Sequence, residues 1–241
     1  MAALFGRRAV LARLDEHVRA GHVVLLYGPR GVGMTTTLRA LATRCRTRGL
    51  AVGLAPRSVT LGDLVAALQQ AYPDVAADPD GRRTRARLRM AAERQPCVLL
   101  LDHVGHIGTA FKSLLRSLRG TGSGVVIAGD ADGPREHEAL RALRLTHREI
   151  ELPRLGTTSM YALLRARLAR ASTPCPVRPD DVRRLVRAAN GLPGRAAWFA
   201  SALANGNAWR DGRVRVDWLQ TEMLARTAAE ILDESAERFR A

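Results

Sequence analysis

One stretch concentrates residue types that could handle a polyphosphate: Gly28-Pro29-Arg30-Gly31-Val32-Gly33-Met34-Thr35-Thr36, entered from the apolar run Val23-Val24-Leu25-Leu26-Tyr27. Gly28, Gly31 and Gly33 allow consecutive backbone N–H groups to turn toward phosphate oxygens. A helical pattern begins at once, so the positive end of its dipole adds to the same site. The spacing is G-x-x-x-x-G-[K]-[ST], and Thr35 stands where a hydroxyl would ligand Mg²⁺. One position breaks the pattern. Met34 occupies the lysine site, and methionine offers similar length with neither charge nor donor. A charge-assisted hydrogen bond contributes about 1.5–3 kcal/mol, so a nucleotide site here lacks one of its main cations.

A second candidate follows the most hydrophobic run of the chain, Cys97-Val98-Leu99-Leu100-Leu101, which ends at Asp102. A carboxylate at the end of such a strand can hold Mg²⁺ through water. Its distance of about 70 residues from the phosphate loop suits a companion motif. Asp102, His103 and His106 also admit a zinc reading. A structural zinc site takes four protein ligands and no cysteine joins these three, so the histidines are read as surface residues. Cys45, Cys97 and Cys175 are widely spaced and form no C-x-x-C pair. They fit buried thiols of a reducing compartment rather than a disulfide frame.

These groups need a scaffold, and hydrophobic periodicity supplies one. Val10, Leu11, Leu14 and Val18 mark a helix over residues 8–20 that Gly21 stops. His22–Tyr27 reads as a strand buried on both faces. A helix from the glycine loop to about Arg48, a strand at Leu50–Leu54, a helix at Thr60–Ala71 and a loop at Tyr72–Gly81 follow. Residues 82–95 form a very basic helix. After the strand Cys97–Leu101 come a helix at 109–119, a flexible Gly/Ser loop at 120–124, a strand at Val125–Ala128, a helix at Pro134–Leu145 and a strand at Glu149–Leu152. Alternation of strand and helix calls for a parallel sheet covered on both faces, with ligands at the carboxyl ends of the strands. The glycine loop and Asp102 both lie at such ends. Beyond Pro153 the helical segments 157–170, 179–189 and 193–204 have no strand between them. A short strand near 212–217 and an amphipathic helix over 218–239 close the chain. The expected organisation is a core over 1–153, a helical lid over 154–205 and a tail over 206–241.

Composition narrows the function classes. The chain has 241 residues, 46% of them hydrophobic, which is enough to bury a sizeable core. No apolar stretch reaches the roughly 18 residues of a bilayer span, and the N-terminus has no apolar signal region, so the expected setting is cytoplasmic, without a membrane partner. The formal charge of +15 is almost wholly arginine, Lys112 being the only lysine. Such a field attracts polyanions. Two helical faces concentrate it: Arg82, Arg85 and Arg89 on the helix at 82–95, and Lys112, Arg116 and Arg119 on the helix at 109–119. They form a DNA-contact candidate through phosphate, since few aromatics accompany them for base stacking.

The chain resembles the AAA+ ATPases, in particular the branch with origin-recognition, STAND-type and transposition-regulator ATPases. Phe5-Gly6-Arg7 is similar to the N-terminal motif of that branch, Gly28–Thr36 to its Walker A motif and Val98–Asp102 to its Walker B strand. Val125–Asp130 falls at the sensor 1 strand, and Asn190-Gly191-Leu192-Pro193-Gly194-Arg195 is similar to the sensor 2 motif of the lid. The resemblance covers about residues 4–204. It implies an α/β fold, a three-layer αβα parallel sheet ordered 5-1-4-3-2 with a small helical lid. It further implies ATP or ADP with Mg²⁺, assembly with itself or with a partner ATPase, and a γ-phosphate contact from Arg195. An arginine finger would come from Arg141, Arg144 or Arg148, with Arg148 favoured.

Three residues depart from the family pattern. Met34 replaces the phosphate lysine. His103 replaces the glutamate that polarises the attacking water; a neutral imidazole can act as a base with shorter reach. Asp130 adds a carboxylate near a position that usually senses the γ-phosphate. Together they imply an ATP-binding regulator or assembly factor with weak or absent hydrolysis. Two alternatives stand beside it: a competent ATPase in which His103 or Arg30 substitutes, and a nucleotide-free scaffold.

Overall fold

The computed structural model describes residues 5–56, 60–76, 78, 81–104, 108–130, 147–173, 176–204 and 206–240. The chain divides into two compact units, Met1–Pro153 and Arg154–Ala241.

The first unit is built on five parallel strands: β1 (Val23–Gly28), β2 (Ala51–Ala55), β3 (Cys97–Leu101), β4 (Gly124–Asp130) and β5 (Arg148–Glu151). Their spatial order is β2-β3-β4-β1-β5, the 5-1-4-3-2 order that the family resemblance implies, counted from the other edge. Five helices complete the described part of this unit: α1 (Arg8–Arg19), α2 (Met34–Arg46), α3 (Leu61–Ala71), α4 (Gly81–Arg94) and α5 (Thr109–Arg119). Side chains alternate across a strand, and the alternation divides the core. Val23 and Leu25 of β1, Leu99 and Leu101 of β3, and Val125 and Ile127 of β4 pack with Leu64 and Leu68 of α3, Leu88 of α4 and Leu115 of α5. The intervening residues Val24, Leu26, Leu100 and Val126 are equally buried on the other face, where α1 and α2 lie against the sheet. Burying each such leucine stabilises by about 1.5–3 kcal/mol, which is why these strands are apolar on both sides. The result is the expected three-layer αβα sandwich.

A buried carboxylate fastens α1 to α2. Asp15 is 1% exposed, and Arg48 and Arg44, at the end of α2, both pair with its Oδ2, Arg44 at 3.4 Å. Arg19 adds a third contact at 3.5 Å from within α1.

The segment 120–124 departs from the expectation of a flexible loop. Ser123 is fully buried. Its Oγ accepts the Cys97 N–H at 3.1 Å and shares a hydrogen bond with the Thr121 Oγ1 at 2.8 Å. Gly124 is a packing requirement, because a Cβ there would lie 2.2 Å from the Val18 carbonyl oxygen. Glycine content suggested freedom; here it answers close approach.

The second unit contains α6 (Thr157–Leu168), α7 (Pro179–Ala189), α8 (Pro193–Ala202) and α9 (Val216–Arg240). The expected short strand is a two-residue hairpin, β6 (Trp209–Arg210) with β7 (Arg213–Val214). Asp211 and Gly212 turn it at φ 51° and 67°, the left-handed pair that tight hairpins require. Val214, Val216, Leu219 and Met223 share one core with Met160, Leu164, Leu185 and Phe199, so this part of the tail packs as one body with α6, α7 and α8. The helix expected at 134–145, together with Arg141 and Arg144, lies outside the described residues, as do His106 and Cys175. Among the described residues, no helix is long and apolar enough to cross a membrane.

Candidate nucleotide site

The carboxyl ends of β1, β4 and β3 lie side by side. Gly28, the last residue of β1, pairs with Asp130, the last of β4. Leu101 of β3 pairs with Ile127 of β4, and Asp102 follows directly. The sheet therefore gathers the glycine loop, Asp130 and Asp102 at the carboxyl end of its central strands.

The loop itself is a tight turn running into α2. The Val32 N–H donates to the Pro29 carbonyl at 3.0 Å, and Gly31 at the third turn position has φ 81°, the conformation that a type II turn demands. Gly33 is the N-cap of α2 at φ 101° and caps it with no side-chain hydrogen bond. The first N–H groups of a helix have no intrahelical acceptor, so those of Met34, Thr35 and Thr36 remain for an anion. Thr37 turns inward, its hydroxyl donating to the Gly33 carbonyl at 3.0 Å. Gly28 is required by packing: a Cβ would sit 2.8 Å from the Leu152 carbonyl oxygen and 3.0 Å from Val32 Cγ1. Around this frame Val32 is fully buried, Pro29, Gly33, Met34 and Thr35 are half-buried, and Arg30, Gly31 and Thr36 are exposed.

Asp102 is 2% exposed. Its Oδ1 accepts the His103 N–H at 3.1 Å, while its Oδ2 is buried and has no hydrogen-bond partner among the described residues. A lone buried carboxylate oxygen is costly unless a cation or donor satisfies it. That oxygen suits a hydrated Mg²⁺, which binds through few carboxylates and keeps much of its water. His103 adopts a left-handed backbone at φ 47°, and its imidazole, 67% exposed, stands 3.9 Å from the Asp102 Oδ1. No group of three or more His, Cys, Asp or Glu able to hold a metal occurs among the described residues.

Arg7 is a feature that the sequence placed in a motif without a role. It is 4% exposed, and burial pulls its guanidinium below the ordinary arginine value. One Nη donates to the Val32 carbonyl of the loop at 2.8 Å and the other to the Pro153 carbonyl. Its partners lie 25 and 146 residues away, beyond the reach of any local pattern.

Arg195 belongs to the second unit, half-buried in the first turn of α8. The preceding turn is held by left-handed Asn190 and Gly191, by the Leu155 N–H on the Gly191 carbonyl at 2.8 Å, and by an Arg154 Nη on the Asn190 carbonyl at 2.9 Å. Arg148 opens the edge strand β5, exposed and paired through its backbone with Val24.

The basic faces point outward. α4 buries Thr84, Leu88 and Ala92, which leaves Arg82 and Arg89 exposed and Arg85 half-buried; Arg89 also pairs with Glu93 at 3.3 Å. α5 buries Phe111, Leu114, Leu115 and Leu118, leaving Arg116 and Arg119 exposed and Lys112 half-buried. A second stripe on α4, exposed Arg83, Arg87, Met90 and Arg94, was missed in the sequence although its 3–4 spacing was readable.

Comparison with known proteins sets this geometry in context. Residues 3–128 match the family described as the AAA ATPase domain. No curated protein matches the chain significantly. Among solved structures, Cdc6p from Pyrobaculum aerophilum aligns with TM-score 0.58 at 15% identity, covering 82% of this chain and 60% of that one. The Orc1 protein of Aeropyrum pernix, solved in complex with DNA, aligns with TM-score 0.57 at 20% identity, covering 92% and 66%. AMPPCP-bound DnaA from Aquifex aeolicus aligns with TM-score 0.51 at 17% identity, covering 83% and 62%. The chain thus spans less than two thirds of the length of each of these structures.

Proposed function

The chain belongs to the AAA ATPase domain family, and from that premise we propose that it binds an adenine nucleotide with Mg²⁺ at residues 28–36 and hydrolyses it weakly or not at all. The observation that carries this reading is the pairing of an intact backbone cradle with a depleted set of catalytic side chains. Gly31 and Gly33 hold left-handed conformations and the start of α2 lacks a side-chain cap. Asp102 has a buried oxygen with no partner among the described residues, suited to the hydrated metal. Met34 has no charge for the phosphates, and His103 stands in place of a carboxylate.

In this reading the backbone N–H groups of the loop and of the first turn of α2 bind the phosphates, and Thr35 and Asp102 hold the magnesium. Bound Mg²⁺ would neutralise phosphate charge and orient the β- and γ-phosphates. His103 contributes a weak base at most, and Arg195 reads the γ-phosphate. The protein then acts as a nucleotide-dependent regulator or assembly factor, associating with copies of itself or with a partner ATPase, with Arg148 the arginine offered to a neighbouring site. DNA contact through Arg82, Arg85, Arg89, Lys112, Arg116 and Arg119 draws support from the charge of +15 and from the DNA-bound Orc1 relative. Nucleotide binding draws support from the AMPPCP-bound DnaA relative.

Calorimetry with ADP and with a slowly hydrolysed ATP analogue, with and without Mg²⁺, tests the reading. Magnesium-dependent binding supports it. Absence of binding favours the second reading, a nucleotide-free scaffold, which the lack of a cation at Met34 supports. Rapid turnover would favour a competent ATPase. A DNA-shift assay across salt tests the basic faces, because phosphate-driven binding weakens steeply as salt rises.

A further inference from the structure

The site lacks the lysine of its loop, yet a cation lies beneath that loop. Arg7 is buried, and among the described residues its guanidinium meets two carbonyl oxygens and no carboxylate. The arginines of the α1–α2 junction differ, since Arg19, Arg44 and Arg48 share Asp15. Burying a charge without an opposite charge costs several kcal/mol. A ligand that brings negative charge to the loop lowers that cost.

The Arg7 contact also has a direction. The carbonyl of Val32 and the N–H of Gly33 belong to one peptide unit. No peptide bond in the described chain is cis, and in a trans peptide the C=O and N–H point to opposite sides. Anchoring the Val32 oxygen on Arg7 therefore aims the Gly33 N–H away from Arg7. A hydrogen bond from a cation to the carbonyl also polarises that N–H and makes it a better donor.

We infer that Arg7 is a positioning residue for the nucleotide phosphates: it fixes and polarises the Val32–Gly33 peptide from beneath the loop and supplies part of the positive charge that Met34 cannot. This rests on the reading of residues 28–36 as a nucleotide site. Arg7 itself does not touch the ligand in this scheme. Its connection to Pro153 holds the guanidinium in place, so the loop donor stays preorganised rather than being ordered by the ligand.

The test is calorimetry with ADP and Mg²⁺ on the full chain, with the melting temperature of each unliganded variant measured beside it. Arg7→Gln keeps a donor but removes the charge, and is expected to weaken ADP binding about tenfold, the scale of one charge-assisted hydrogen bond. Arg7→Lys keeps the charge and is expected to stay within about threefold of the original protein. The decisive variant adds Met34→Lys to Arg7→Gln. A lysine in the loop is expected to tighten ADP several-fold more in the Arg7→Gln background than in the original protein, while the unliganded melting temperature stays at the Arg7→Gln value; a merely structural role would give equal gains in the two backgrounds. Unchanged affinity in Arg7→Gln, or equal gains from Met34→Lys in the two backgrounds, overturns the inference while leaving the nucleotide reading intact. No ADP binding by the original protein or by any variant overturns both. If Arg7→Gln does not fold, Arg7→Lys decides: retained affinity supports the inference and a tenfold loss overturns it.

Discussion

In the proposed nucleotide site, the start of α2 would work through its backbone and the exit of β3 through its side chains. The loop owes its shape to Gly28, Gly31 and Gly33, to the turn bond from Val32 to Pro29 and to packing against Leu152. These features are tied to the fold, because altering them disturbs the carboxyl end of β1 itself. Asp102 and His103 show the opposite case. The buried Asp102 keeps one oxygen with no partner among the described residues, and His103 places its ring largely in solvent, where a change of residue costs the fold little. On the proposed reading, a phosphate cradle persists while the groups that would cleave a phosphate are replaced, since the first is coupled to folding and the second is not.

Five substitutions probe that contrast. Gly28→Val should have the largest effect, since its Cβ meets the Leu152 carbonyl at 2.8 Å. Overpacking of this kind costs about 1–3 kcal/mol, and urea unfolding should show that loss together with loss of nucleotide binding. Asp102→Asn should reduce the magnesium-dependent part of nucleotide affinity by about 10–100-fold, as for other groups that hold a metal indirectly. Its unliganded melting temperature should hold or rise, because a buried charge with an unpartnered oxygen is removed. Met34→Lys should tighten ADP about tenfold through one charge-assisted hydrogen bond, with turnover staying low until His103→Glu is added. Thr60→Ala should have the smallest effect. Thr60 and Asp63 form a complete capping box on α3, with the Asp63 N–H on the Thr60 Oγ1 at 3.2 Å. Its loss should cost about 1 kcal/mol of stability and leave nucleotide affinity unchanged. A shift in affinity there would break the distinction between a helix start closed by its own side chains and one left open for a ligand.

The strand–loop–helix at residues 23–46 and the strand ending at Asp102 were legible because their signals are local: a buried strand is continuously apolar and a phosphate loop needs glycine at fixed spacing. The sheet order came from the family resemblance. Arg7 was illegible as a site residue because its role depends on Val32 and Pro153, which only the closed sheet brings to it. The 120–124 segment misled because glycine and serine suit either a flexible linker or a tight crossing, and only the approach of Val18 to Gly124 and the burial of Ser123 decide between them. The α1–α2 junction was hidden for a similar reason. Asp15, within an amphipathic helix, reads as a solvated charge until β1 and the return along α2 bring Arg44 and Arg48 to it.

A single-turnover experiment separates binding from cleavage in one measurement. Protein in excess is mixed with labelled ATP and Mg²⁺, and the nucleotide retained on the protein is identified over time. An intact cradle with depleted catalytic side chains predicts ATP retained and still a triphosphate long after an active ATPase would have converted it. Failure to retain ATP, or its prompt conversion to ADP, would contradict that.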